Sequence, residues 1–290
     1  MILVLGGGFG LYGHVAALAM MGCEVATLAR YRPVIEGRPE LAPLLDRVIL
    51  VEEAQGVRDA TIVTLAQRPH DNRAAAERLA EAGFAGGLVI EKPAGPDPEA
   101  AHRLQHTLFA AGLRWAVPYL FLYADWAQQI RDAVVQSAGA DVTLSWSFPQ
   151  SRTSRAWKRE PKAGGGSLGF YFIHCIALAE WLAEGAANSA LSGTSSATVI
   201  ELAGSVNNSH ISFRFDKQCP EAHFLVRING RAIARAATPF GALPQAGMLD
   251  PRIPLLQRFY ESTVMNGAYQ NSAFHQAVLE RWRELDRYGS

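Results

Sequence analysis

Residues 1–30 read MILVLGGGFGLYGHVAALAMMGCEVATLAR. The apolar run Met1 to Leu5 ends at Gly6, Gly7 and Gly8, and Gly10 follows. A helix-competent stretch then runs from Leu11 to Met21, and a second strand-like run, Glu24 to Leu28, leads to Arg30. Strand, glycine turn, helix and strand in this order begin a dinucleotide-binding unit. Glycines at the junction let the main chain approach a pyrophosphate, and the first amides of the helix, at the positive end of its dipole, face the anion. Gly6, Gly8, Phe9, Gly10 and Leu11 are therefore the expected cofactor-facing residues of the turn.

Two registers fit the glycines. Gly8, Gly10 and Gly13 match GxGxxG literally. The helix length and the position of Gly22 favour Gly6 and Gly8 as the first two glycines, with Leu11 at the third place. The third glycine ordinarily allows close packing of helix on strand. Leu11 is thus expected to push the helix outward or to leave Gly10 to relieve the crowding.

The end of the second strand bears on which dinucleotide is bound. An Asp or Glu about 20 residues beyond the glycines would hold the adenosine ribose hydroxyls. Here Arg30, Tyr31 and Arg32 stand instead. Guanidinium groups pair with phosphate oxygens in a bidentate fork, whereas a carboxylate repels a 2′-phosphate. Arg30 and Arg32 are expected cofactor-binding residues, and NADP(H) is expected in preference to NAD(H).

At 290 residues the chain has room for two domains. The expected division is a Rossmann dinucleotide-binding domain over 1–118 and a substrate-binding and oligomerisation α/β domain over 119–290. In the first, Val48 to Val51, Thr61 to Leu65, Leu88 to Ile90 and Trp115 to Val117 read as strands, and His70 to Ala82 and Glu99 to Ala111 as helices. Strand and helix in alternation imply a parallel sheet covered on both faces. After Tyr119 a helix is expected over Tyr123 to Gln136. Val142, Leu144, Trp146 and Phe148 then alternate with polar residues, as in a strand with one buried face. Further strands at Thr198 to Leu202, His210 to Phe215, His223 to Ile228 and Ala232 to Ala236 imply an open, mainly antiparallel sheet. Its exposed face invites the same face of another subunit, so a homodimer or homotetramer is expected. Ile253 to Met265 and Ser272 to Arg287 read as closing helices.

Acidic and basic residues balance to a formal net charge of zero, which gives no electrostatic reason to expect nucleic acid or an anionic membrane as partner. No segment has the roughly 18 uninterrupted apolar residues of a membrane span. The first apolar run lacks a preceding basic region, unlike a signal peptide, so a cytoplasmic protein is expected. Cys23, Cys175 and Cys219 are widely separated, which fits a reducing compartment rather than a disulfide scaffold. No Cys or His spacing suggests a metal site.

Glu91-Lys92-Pro93 closes the fifth strand, where a nicotinamide would lie. A lysine there can donate to a substrate oxygen that turns alkoxide-like during hydride transfer, and proline constrains the backbone that aims it. Glu91 and Lys92 are both expected beside the cofactor. On the glycine turn, His14, Arg68-Pro69-His70, Glu91-Lys92-Pro93 and the segment from Gly164-Gly165-Gly166 to His174, the chain resembles the Gfo/Idh/MocA oxidoreductases over nearly its whole length. The resemblance implies a dinucleotide-binding domain followed by an open-sheet α/β domain, with Lys92 as the family lysine and His174 as its proton-transferring histidine.

The chain also departs from that pattern. Similar proteins carry an aspartate four residues before the histidine and a small residue two before it, where this chain has Phe170 and Phe172. Leu122 stands where an arginine is common. These changes point away from an ordinary free sugar or inositol. Phe170 and His174 share a helix face, Tyr171 is an alternative proton donor, and Tyr119 is a further substrate-binding candidate. Arg152, Arg155, Lys158, Arg159 and Lys162 form either a flap that holds an anionic substrate, with Lys158 at its centre, or a solvated basic loop. The expected activity is hydride transfer between nicotinamide and a secondary alcohol or ketone of a sugar-like small molecule. The rival readings are an NAD-dependent glycoside hydrolase and a catalytically inactive dinucleotide-binding regulator.

Overall fold

The computed structural model describes residues 1–136, 139–149, 156–241, 245, 247–269 and 272–287. Arg152 and Arg155 of the basic stretch lie outside the described residues. The chain divides into two compact units.

The first unit is built on six parallel strands: β1 (Ile2–Leu5), β2 (Val25–Leu28), β3 (Val48–Val51), β4 (Ile62–Leu65), β5 (Gly87–Ile90) and β6 (Arg114–Ala116). Their spatial order is β3-β2-β1-β4-β5-β6. Every residue of β1, β2 and β5 is buried, as expected of short apolar runs covered on both faces. The order reverses between β1 and β4, and ligands of such sheets bind at that switch point, beyond the carboxyl ends of the strands. Leu5 is in register with Leu65, and Leu65 with Ile90. Gly6, Ala66 and Glu91 therefore stand side by side at the carboxyl edge, tied by Ala66 N to Leu5 O and Glu91 N to Leu65 O, each 2.8 Å.

The second unit carries an open mixed sheet: β7 (Asp141–Ser147), β8 (Ser189–Ser195), β9 (Val199–Val206), β10 (Ser209–Asp216), β11 (His223–Ile228) and β12 (Arg231–Ala236), in the order β12-β11-β7-β10-β9-β8. Only the β7–β10 pair is parallel. Val142, Leu144 and Trp146 of β7 are buried with Ile211, Phe213 and Phe215 of β10, while Thr143, Ser145 and Arg214 face the other way. β8 was not expected. Its sequence, Ser-Ala-Leu-Ser-Gly-Thr-Ser, has no apolar alternation. It is an edge strand held by main-chain pairing along β9, and Leu285 fills the place a side chain at Gly193 would take.

The division between units departs from a single cut at 118/119. The first unit comprises Met1–Gly95, Ala100–Pro118 and Pro244–Gln270, and the second Pro96–Glu99, Tyr119–Leu243 and Asn271–Ser290. Residues 244–270 return to the first unit because they bury apolar side chains there. Ile253, Leu256, Phe259, Tyr260 and Val264 are each no more than 4% exposed. Helix Ile253–Phe259 accordingly packs on helix Ala16–Met20, and Gln257 Nε2 donates to Ala17 O at 3.5 Å.

Candidate active site

The glycine turn is shaped by what each position must leave out. Gly6 has φ of +149°, and a Cβ there would collide with the carbonyl oxygen of Ala66 on the neighbouring strand. A Cβ at Gly7 would lie 2.8 Å from the ring of Tyr31, and one at Gly13 would collide with the ring of Phe9. At Gly10 it would press on Ala66 Cβ at 3.3 Å and Val4 Cγ1 at 3.5 Å. Gly10, not Leu11, thus makes the close approach of helix to sheet, and Leu11 is simply buried. Leu11 N and Tyr12 N donate to Gly8 O at 2.9 and 3.3 Å, so the helix starts at Phe9. The amides that precede Leu11 at such a start have no partner within the helix, and Gly6, Gly7 and Gly8 place no side chain beside them.

Arg30 and Arg32 follow β2 and are exposed. The Arg30 guanidinium lies 5.3 Å from the centroid of Tyr31, whose ring rests on Gly7, and reaches Glu53 at 3.5 Å. Its interaction with the Tyr31 side chain, with Glu53 adding to it, holds the guanidinium above its ordinary pKa. Arg32 pairs with Glu36 one turn on, at 3.4 Å.

The carboxylate of Glu91 turns inward, where Oε1 accepts from His14 Nε2 at 2.9 Å. Its main-chain N–H is used by Leu65 and its carbonyl accepts from Asn72 Nδ2 at 3.5 Å. His14 Nδ1 meets Tyr260 OH at 2.8 Å, and that hydroxyl meets Thr64 Oγ1 at 2.9 Å. Lys92, one residue beyond, is half-buried, and its bond to Pro93 is cis.

In the second unit His174, in helix Ile173–Ala183, is 2% exposed. It stacks on Phe121 at 4.7 Å and 15° and meets the edge of Phe240 at 5.9 Å. Phe170 is half-buried between Trp157, edge-on at 5.5 Å, and Tyr171 at 5.0 Å, with Lys158 Nζ 4.9 Å from its ring centroid. Tyr171 stacks against Phe148 at 5.4 Å and Phe215 at 5.9 Å. Tyr119 is packed in the core of the second unit. It is 1% exposed, its hydroxyl meets His275 Nδ1 at 3.0 Å, and burial raises its pKa far above the ordinary phenol. Among the described residues no group of three or more His, Cys, Asp or Glu is placed to hold a metal.

No protein-family model and no curated relative matches the chain. Solved structures do. A myo-inositol dehydrogenase from Corynebacterium glutamicum aligns with a TM-score of 0.70 at 14% identity, over 99% of this chain and 95% of its own. The WlbA dehydrogenase from Thermus thermophilus, in complex with NAD and UDP-GlcNAcA, gives 0.67 at 14% identity, over 97% and 92%. KijD10, a 3-ketoreductase from Actinomadura kijaniata in complex with NADP and TDP-benzene, gives 0.65 at 13% identity, over 99% and 97%. This chain shares the fold of these dehydrogenases.

Within that shared fold, two of the residues that depart from the expected pattern are packed in the core, while Phe170 is half-buried. Phe172 is fully buried and Leu122 is 7% exposed. Sequence reasoning also missed a cation beside the glycine turn. The guanidinium of Arg252 lies 3.9 Å from the centroid of Phe9 and makes two 2.8 Å hydrogen bonds to the carboxylate of Asp250. Burial alone would raise the pKa of Asp250, but its hydrogen bonds to Arg252 and the charge of that residue bring it below the ordinary carboxylate value. Asp250-Pro251-Arg252 carries no motif, and only its return to the first unit gives it meaning.

Proposed function

We propose that this protein is an NADP(H)-dependent oxidoreductase that transfers hydride between nicotinamide and a secondary alcohol or ketone of a sugar-like small molecule. One observation carries the reading: Gly6 of the side-chain-free turn and Glu91, immediately before Lys92, end β1 and β5 on either side of Ala66 at the end of β4, along the carboxyl edge beside the switch point of a parallel sheet. The solved structures of the same fold support it, since they include a myo-inositol dehydrogenase, a dehydrogenase bound to NAD and UDP-GlcNAcA, and a ketoreductase bound to NADP and TDP-benzene.

In this reading the turn amides and the helix start hold the pyrophosphate, while Arg30 and Arg32 hold a 2′-phosphate. The bound nicotinamide supplies or accepts the hydride. Lys92 donates to the substrate oxygen as negative charge develops on it, and a preorganised donor of that kind lowers the barrier by several kcal/mol. His174, or Tyr171 in its place, exchanges the proton. Lys158, set over Phe170, suits a substrate with an anionic group, and the polar outer face of the second sheet suits pairing between two copies of the chain.

A second reading, a dinucleotide-binding protein without turnover, draws on Phe170 where a carboxylate is usual. Fluorescence titration with NADPH and NADH, followed by an absorbance screen of sugar nucleotides and keto-sugars, separates the two. Binding with turnover is expected, binding alone favours the second reading, and no binding of either nucleotide overturns both. Light scattering tests the pairing of copies.

A further inference from the structure

The buried polar groups behind Lys92 come from four separate segments of chain: His14 from the first helix, Thr64 from β4, Glu91 from the end of β5 and Tyr260 from the returning C-terminal segment. His14, Thr64 and Tyr260 are completely buried and Glu91 is 8% exposed. Residues 64 and 91 share a sheet face, because Ala66 and Glu91 are neighbours and side chains alternate along a strand.

With a neutral imidazole at His14 and a carboxylate at Glu91, one order uses every proton once. A carboxylate only accepts, so His14 Nε2–H donates to Glu91. The other nitrogen of a neutral imidazole then accepts from the Tyr260 hydroxyl, whose oxygen accepts from Thr64. A file of this kind is stabilising only when complete, because a buried polar group left without its partner is costly. Apolar side chains would fill the same space with less at stake. What the polar file adds is fixation of one residue. Glu91 is bound through its amide, its carbonyl and its carboxylate, and Asn72, which donates to the carbonyl, is itself held by Gln67 N at 2.8 Å. Pro93 restricts the backbone on the far side of Lys92. The same histidine meets the edge of Phe9 at 5.3 Å, so the glycine turn shares the anchor.

We propose that Thr64, Tyr260 and His14 lock Glu91 in place and so set the direction in which Lys92 leaves the sheet, making them positioning residues for Lys92. The proposal rests on the reading of Lys92 as donor to the substrate oxygen.

The test uses the whole chain and no dinucleotide. Lysines occur only at 92, 158, 162 and 217. Reductive methylation with carbon-13 formaldehyde makes each an NMR reporter, and Lys92→Arg assigns the signal of interest. Tyr260→Phe removes a single oxygen distant in sequence from residue 92. It is expected to shift the Lys92 methyl resonance and to move its titration midpoint by about half a pH unit or more, leaving the other three signals in place. Glu91→Gln, whose amide oxygen still accepts from His14, should stay closer to wild type than Glu91→Leu. If Tyr260→Phe does not fold, Thr64→Val carries the same test from the far end of the file. A Lys92 signal unchanged in folded Tyr260→Phe or Thr64→Val overturns the proposal. Failure of the wild type to bind NADPH or NADH would instead remove the functional reading without touching these signals.

Discussion

His14 and His174 are both buried, at 0% and 2% exposure, yet they sit in opposite kinds of interior. His14 joins a carboxylate to a phenol through both ring nitrogens. His174 lies flat against Phe121 with Phe240 at its edge. The first environment depends on directional bonds and fails if one atom is lost, while the ring stacking of the second depends on area and shape. The contrast extends beyond the histidines. Around the glycine turn, Arg252, Asp250, Glu91 and Tyr260 bring charge and hydroxyls into the interior. Beside helix Ile173–Ala183, Trp146, Phe148, Trp157, Phe170, Tyr171 and Phe215 form an aromatic cluster.

The largest expected effect lies on the chemistry assigned to the polar side. Lys92→Ala should lower turnover by about two to four orders of magnitude, the usual worth of a positioned acid or base, with NADPH affinity nearly unchanged. Steady-state kinetics on a substrate found by the screen, together with nucleotide titration, measures both quantities. Turnover close to that of wild type would remove Lys92 from the mechanism.

The next test compares the two histidines by stability. His14→Leu strands the Glu91 carboxylate and the Tyr260 hydroxyl in the interior and should cost about 3–5 kcal/mol. His174→Phe keeps an aromatic ring against Phe121 and strands no buried charge, so it should cost less than His14→Leu. Urea unfolding measures both. Equal costs would mean that the two interiors do not differ in the way their geometry indicates.

These environments were unequally legible in the sequence. The first strand, the glycine turn and the helix after it could be read because every requirement is local, and even the ambiguity between Gly10 and Leu11 was visible. Its resolution needed Ala66, which only the register of β4 on β1 places against the turn. The hydroxyl that bonds His14 belongs to a residue 246 positions away, in a segment that reads simply as a helix. Glu91 looked like a cofactor ligand because it precedes Lys92, but alternation along β5 turns it to the interior. Tyr119 looked like a substrate contact because it opens the second unit, and nothing local identified His275 as its partner. β8 escaped because an edge strand paired through its main chain needs no apolar rhythm.

Alkaline pH compares one tyrosine from each unit. Burial holds the hydroxyls of Tyr260 and Tyr119 far above the ordinary tyrosine pKa, so each keeps its proton in the folded state. In the unfolded chain each loses it near pH 10. Stability is therefore fully present below that pH and declines above it, by about 1.4 kcal/mol per pH unit for each tyrosine. Cys175, whose thiol is raised by complete burial, begins the decline earlier, near the ordinary thiol pKa. Tyr260→Phe and Tyr119→Phe should each remove one tyrosine's share of the slope, as read from urea midpoints between pH 9 and about 11. A slope unchanged in either variant would show that its hydroxyl reaches solvent.

The smallest effect belongs to an exposed group of the first unit. Arg30 lies at the surface beside Tyr31 and within reach of Glu53, so its contribution is screened by solvent and shared with that carboxylate. One charge-assisted hydrogen bond to a 2′-phosphate is worth about 1.5–3 kcal/mol at best. Arg30→Ala should accordingly reduce the preference for NADPH over NADH by roughly tenfold, through weaker NADPH binding with NADH binding little changed. Glu53→Gln should shift the preference the other way, because it releases the guanidinium and removes a charge that repels the phosphate. Parallel titrations of both variants with both nucleotides decide the matter, and equal affinities of the wild type for NADPH and NADH would show that Arg30 does not select between them.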